Sequence, residues 1–192
     1  MFEREALEEA LRTLGEVLES RGVSFGVLVA GGSSLLLLGL VDRPTADLDI
    51  VALARGDRYV RAEPLPAALV EAIADVANAL GLVPEWMNNG PASLLDFGLP
   101  TGFDDRVTVR RYGALDVHLP GRSDLVALKL YAAVDLGPRS KHFADLKELV
   151  PTDEELLAGA RWARSHDPSP AFRDELVKAL AALGLAVSDA DV

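Results

Sequence analysis

Apolar side chains return every three or four residues over 4–20. Ala6, Leu7, Leu11, Leu14, Val17 and Leu18 share one face with Glu and Arg between them, which predicts an amphipathic helix. Arg21-Gly22 supplies its stop. The apolar run over 23–30 reads as a buried strand, and Gly31-Gly32-Ser33-Ser34 as a tight turn into a short apolar helix over 34–40. Asp42-Arg43-Pro44-Thr45 is a loop before a second strand over 47–53, which alternates polar and apolar only at its start. Helical spacing resumes over 65–81 with Leu65, Ala68, Leu69, Ala72, Ile73, Val76 and Leu80, and Gly81 suits its C-cap. Residues 84–105 are irregular and rich in Pro, Gly and Asn. Strands follow at 106–111 and 115–119, joined by Tyr112-Gly113-Ala114. From Ser123 onward the pattern predicts helices at 123–136, 140–149, 152–165 and 170–184, punctuated by Pro138, Pro151, Pro168 and Pro170.

Strands thus dominate the middle and helices the end. The order predicts an α+β fold: a small mixed sheet with flanking helices over 1–121, then a helical part over 122–192. A chain of 192 residues, 49% hydrophobic and 26% charged, is long and apolar enough for a proper core. The longest early apolar stretch, 35–41, is too short to cross a bilayer, and the acidic N-terminus is not a secretory leader. A cytoplasmic, non-membrane protein is expected. The net charge of −11 disfavours a surface that coats nucleic acid, although arginines cluster locally. The absence of cysteine removes disulfides, zinc ribbons and thiol catalysis. Neither a P-loop nor a dinucleotide-binding glycine motif is present.

Chemistry concentrates at Asp47 and Asp49. Two carboxylates at i and i+2 on a strand project to the same side, repel one another, and are relieved by a cation between them. Oxygen-only ligands favour a hard ion, and Mg²⁺ is usual where phosphates complete the shell. Asp116, on a later strand, offers a third carboxylate; three converging carboxylates hold two metals about 3.5–4 Å apart in phosphoryl and nucleotidyl transfer. The glycines of Gly31-Gly32-Ser33-Ser34 let the backbone approach a phosphate at a helix start, and the serine hydroxyls either add to that contact or cap the helix.

Other polar residues carry competing readings. Asp116 also suits the polar face of an edge strand. His118 shares its side, edging the site or serving structure, while His142 and His166 are too scattered to make a zinc site. Trp86, beside Asn88 and Asn89, either stacks a base or pins a loop. Arg106, Arg110 and Arg111 either attract phosphate or form a solvated strand face.

Gly32-Ser33 followed by Asp47-Leu48-Asp49-Ile50 resembles the signature of the nucleotidyltransferase superfamily, the DNA polymerase β-like fold. Arg43-Pro44-Thr45-Ala46-Asp47-Leu48-Asp49 is similar to the form found in AbiEii-like toxin nucleotidyltransferases and their uncharacterised relatives. Residues 124–130, then Arg139, Lys141 and 145–149, resemble the helical segment that follows in that group. The likeness spans 27–149, is densest over 31–50, and departs at His142, where relatives often carry an acidic residue.

The resemblance implies that Gly31, Gly32, Ser33 and Ser34 hold the nucleotide's phosphates and that Asp47 and Asp49 bind Mg²⁺. It makes Asp116 the third catalytic carboxylate. Lys129 would contact phosphates, Asp145 would support that lysine or position the acceptor, and Arg43 and Thr45 would be accessory. The expected activity moves a nucleoside monophosphate from a nucleoside triphosphate to a hydroxyl of RNA or protein, in a toxin–antitoxin or phage-defence setting with an antitoxin partner. The alternative is a non-catalytic module of the same fold that binds a nucleotide or a protein partner.

Overall fold

Leu7, Leu11, Leu14 and Leu18 are completely buried along one side of helix α1 (Arg4–Ser20), as their spacing requires. The computed structural model describes residues 1–188. Strand β1 (Phe25–Ala30) leads directly into α2 (Gly31–Leu38). Next come β2 (Leu48–Arg55), β3 (Arg58–Arg61), α3 (Ala67–Leu80), the two-residue β4 (Met87–Asn88), and short 3-10 helices at Gly90–Phe97 and Phe103–Arg106. Strands β5 (Thr108–Tyr112) and β6 (Leu115–Leu119) complete the sheet. Helices α4 (Arg122–Leu136), α5 (Lys141–Leu149), α6 (Asp153–His166) and α7 (Pro170–Ala182) follow. The architecture is α+β, with one mixed six-stranded sheet flanked by helices. Among the described residues no helix is long and apolar enough to cross a membrane.

The chain divides into two units, one of Met1–Leu99 with Asp104–Pro120 and one of Pro100–Phe103 with the chain from Gly121 onward. In the first, the strand order is β3-β2-β1-β6-β5, with β4 beside the start of β2. Strands β1 and β6 are parallel, as are β2 and β4; the other pairings are antiparallel. The inner face carries Val27, Val29, Leu48, Ile50, Leu53, Leu115, Val117 and Leu119 into the core with α1 and α3. Trp86 is completely buried there, its Nε1 donating to the Ile73 carbonyl at 3.1 Å and its ring 6.0 Å from Phe2. It therefore pins a loop.

One irregularity sets the register. Leu28 pairs with Ala52 and Val29 with Ile50, so Val51 is an extra residue in β2. The bulge resets the alternation: Leu53 and Ile50 both face inward, and Asp49 emerges on the outer face beside Ala30.

Three local expectations need correction. The Gly31–Ser34 stretch forms the first turn of α2 rather than a turn before it. Strand β3, unanticipated, is a four-residue, largely exposed edge strand reached through a two-residue turn, with Gly56 at φ 63°. The irregular 84–105 segment includes β4 and two 3-10 helices.

In the second unit, Leu125, Leu130, Phe143, Leu146, Leu156 and Leu176 are buried. Gly159 lets α6 approach α4: a Cβ there would stand 3.1 Å from the Ala127 Cα. Thr152 and Glu155 form a capping box at the start of α6, and Arg122 donates to Glu155 Oε1 at 2.9 Å and to the Leu149 carbonyl at 2.7 Å.

Two stability changes follow. A Cβ on Gly15 would overlap the Tyr112 backbone carbonyl, so α1 lies on β5 only because residue 15 has no side chain. Gly15→Ala is expected to cost about 2 kcal/mol net, overpacking outweighing the gain in helix propensity, and to lower the urea midpoint. Val150 is 75% exposed and caps α5 in the left-handed region at φ 47°. Val150→Gly is expected to raise stability by about 1 kcal/mol, because the β-branched residue is strained there and glycine is not; a lower midpoint would refute the strain.

Candidate functional site

The start of α2 and the start of β2 lie against each other on the outer face of the first unit's sheet. Asp49 is flanked by Ala30 on β1 and by Asn88 on β4. Gly31, at φ 83°, faces it directly: a Cβ there would stand 2.9 Å from Asp49 Oδ2. A Cβ on Gly32 would stand 3.1 Å from Thr45 Oγ1 and 3.3 Å from an Arg43 Nη2. The glycines therefore let the helix start close on a carboxylate, a hydroxyl and a guanidinium. Thr45, buried, donates its hydroxyl to the Asp47 carbonyl at 3.1 Å and pairs its backbone with Phe2 at 2.6 and 3.0 Å. The N-terminal segment thus straps down the loop that delivers Asp47 and Asp49. Arg4 holds the other end of α2, donating to the Leu36 and Leu37 carbonyls at 3.0 and 3.1 Å.

The two serines are turned inward. Ser33 donates to the Ala30 carbonyl at 3.2 Å and Ser34 to the Val29 carbonyl at 2.9 Å, and both are buried. No side chain caps the start of α2. An anion placed at this helix start would therefore meet backbone N–H groups rather than the serine hydroxyls.

Asp116 is not part of this cluster. It sits beside Gly26, four residues back along β1 from Ala30, which is roughly 13 Å along the strand. It also lies across β1 from β2, and Arg111 grips it at 2.7 and 3.2 Å. Two carboxylates so far apart do not share an ion, and among the described residues no group of three or more His, Asp or Glu is disposed to hold one. The expected three-carboxylate centre does not form, and Asp47 stands just before β2, which begins at Leu48. Asp49 is the carboxylate that meets the glycine backbone of α2, and its oxygens are donors of the kind a hard cation takes beside phosphate and water.

Asp116 belongs to a row that crosses the sheet on its outer face: Tyr59, Ala54, Gly26, Asp116 and Arg111 are lateral neighbours. Gly26 keeps β1 close to β2, since a Cβ there would stand 2.8 Å from that of Ala54. Over this low floor Tyr59 reaches His118, hydroxyl to Nδ1 2.9 Å, with the rings edge-on at 5.6 Å. Hollows of about 410 and 440 Å³ open here. Burial lowers the His118 pKa, opposed by the Asp116 carboxylate, and burial raises that of Tyr59, with Asp104 adding to it. His118 was read from sequence without Tyr59; the Gly56-Asp57 hairpin turn was the signal for the strand that brings it.

In the second unit Lys129 Nζ meets Asp145 Oδ2 at 2.5 Å, with side chains 3% and 0% exposed. Lys129, expected at phosphate, is thus paired with Asp145. His142 lies on α5, while His166 stacks edge-on with Trp162 at 4.5 Å, and burial lowers its pKa. Arg110 pairs with Glu8 at 2.9 Å, so this arginine, like Arg111, is answered by a carboxylate within the first unit.

No family model, curated protein or solved structure matches the chain.

His118 makes a prediction with a definite sign. Its folded pKa lies below the ordinary 6.5, so the unfolded chain takes up the proton first. Its contribution is complete above about pH 6.5 and is lost as pH falls through that value towards the folded pKa. His118→Gln should flatten the loss of stability between pH 7 and 5, partially because His166 acts in the same direction. Urea midpoints at both pH values check this; an unchanged slope would show the imidazole is not shielded.

Proposed function

We propose that the chain is a Mg²⁺-dependent nucleotidyltransferase whose nucleotide site is the start of α2 with Asp47 and Asp49. The observation that carries this reading is Asp49 Oδ2 lying 2.9 Å from the Cβ position of Gly31. The Asp49 carboxylate and an uncapped glycine helix start are brought to one place, one suited to a cation and the other to phosphate. In this reading Asp47 and Asp49 hold Mg²⁺, whose chemistry is to neutralise phosphate charge. The backbone of Gly31 and Gly32 binds the phosphates, and Thr45 keeps Asp47 in register through its carbonyl. The acceptor hydroxyl attacks the α-phosphorus of a nucleoside triphosphate and pyrophosphate leaves. Asp116 is not the base for that hydroxyl. RNA or a protein side chain as acceptor, and a toxin–antitoxin setting with an antitoxin partner, follow from the resemblance of 31–50 and 123–149.

A second reading is favoured by the separation of Asp116 from Asp49: a module that binds Mg²⁺–nucleotide without transferring it. One experiment separates them. The protein is incubated with each α-labelled nucleoside triphosphate, Mg²⁺ and total RNA or lysate, while calorimetry follows nucleotide binding. The first reading expects label transfer that falls at least about a hundredfold in Asp49→Ala, because an interaction with developing charge is lost. Binding without transfer supports the module, and absence of both sinks the two together.

A further inference from the structure

We infer that the second unit carries a binding cavity for a small uncharged apolar molecule, of the size of one benzene ring, between α4, α5 and α7.

A cavity of about 140 Å³ lies there, bounded by Ala133 of α4, the Gly137-Pro138 turn, Phe143 of α5, and Ala179 and Ala182 of α7. Protein interiors leave few voids larger than a water molecule, and this one has room for several. Its base is formed by Ala133 and Phe143, 1% and 3% exposed, and its rim by the exposed Glu175 and Lys178. Water gains little at the base, because a buried water needs about two to four polar partners. Neither side chain there is polar, and the carbonyls of Ala133, Gly137 and Ala179 already accept from the N–H groups of Gly137, Ser140 and Leu183 at 2.8, 3.1 and 3.1 Å. At the rim Lys178 answers Glu175 at 2.7 Å, so the pair calls for no ionic guest. An apolar cavity of about 150 Å³ stays dry and takes up benzene. The Phe143 ring in the wall offers an aromatic guest an edge or a face to pack on. Small side chains leave this volume open, and a leucine in place of Ala179 would add three carbons to its wall.

The test uses the full chain with benzene as the probe and acetamide as a small polar control. Benzene at about ten times its Kd is expected to raise the thermal midpoint by about 4 °C, and to shift the methyl NMR resonances of Ala133, Val134 and Ala179, which line the cavity. Acetamide is expected to do neither. Ala179→Leu should weaken benzene binding at least about tenfold by occupying the space. If circular dichroism shows Ala179→Leu to be misfolded, Ala182→Met carries the test from the same helix. Absence of benzene-dependent shifts in the unaltered protein overturns the assignment, as does binding that survives both substitutions or an equal response to acetamide. A protein that is dimeric by light scattering and becomes monomeric in Ala179→Leu gives the cavity to a side chain of a second copy, and overturns it too.

Discussion

The extra residue at Val51 governs how this molecule presents its polar groups. A strand has a period of two, so a shift of one residue exchanges its faces. Without the bulge, the register that puts Leu53 into the core would put Asp49 there as well and turn Ile50 out. With it, Leu48, Ile50 and Leu53 all reach the core, and Asp49 shares the outer face with Ala30. The alignment of Asp49 with Gly31 depends on that single insertion. So does the freedom of a carboxylate to remain charged, since one driven into the core would face a large desolvation penalty.

Around that point the structure spends unusual effort on holding backbone rather than on burying side chains. Phe2 bridges Thr45, Thr45 bonds to Asp47, and Arg4 ties down the last carbonyls of α2. The chain's first four residues therefore secure both the helix and the loop of the candidate site. Preorganisation of this kind is what a phosphate or metal site needs, because a donor displaced by an ångström loses most of its value. The interaction of Lys129 with Asp145 belongs to a different class. Removing one partner of so buried a pair strands a charge, whereas an apolar replacement of both is often tolerated. Asp124, on the same helix α4 as Lys129, is a further buried charged residue of this helical unit.

The acidic balance of the chain conceals where its arginines act. Arg110 and Arg111 were legible as a basic stretch on β5, yet in the fold Glu8 and Asp116 answer them. Such partly exposed pairs contribute roughly 0–1 kcal/mol each. Charge counted along the sequence therefore misses that each of these two arginines is held by a carboxylate, one distant in the chain and one across the strand pair.

The helices were readable from sequence because their signals are local: the apolar spacing of α1, α3 and α4–α7 and the stops at Gly22 and Gly81 lie within a few residues of the structure they specify. The short chain distance between the Gly31 helix start and Asp49 made their neighbourhood readable as well, although Asp47 falls just before β2 rather than on it. Strand β3 was missed because its four residues, Arg58-Tyr59-Val60-Arg61, bury too little on the sheet edge to leave a pattern. Asp116 was placed wrongly with the other carboxylates because its residue type and strand were visible but its register was not. Position along a strand is decided by partners distant in sequence, here the alignment of Asp116 with Gly26 and of Asp49 with Ala30 across the same strand. The sequence by itself determined which elements form and which carboxylates are neighbours in the chain. Only the tertiary structure decided which of them meet, because register and bulges arise from long-range hydrogen bonding and the need to bury one face of the sheet.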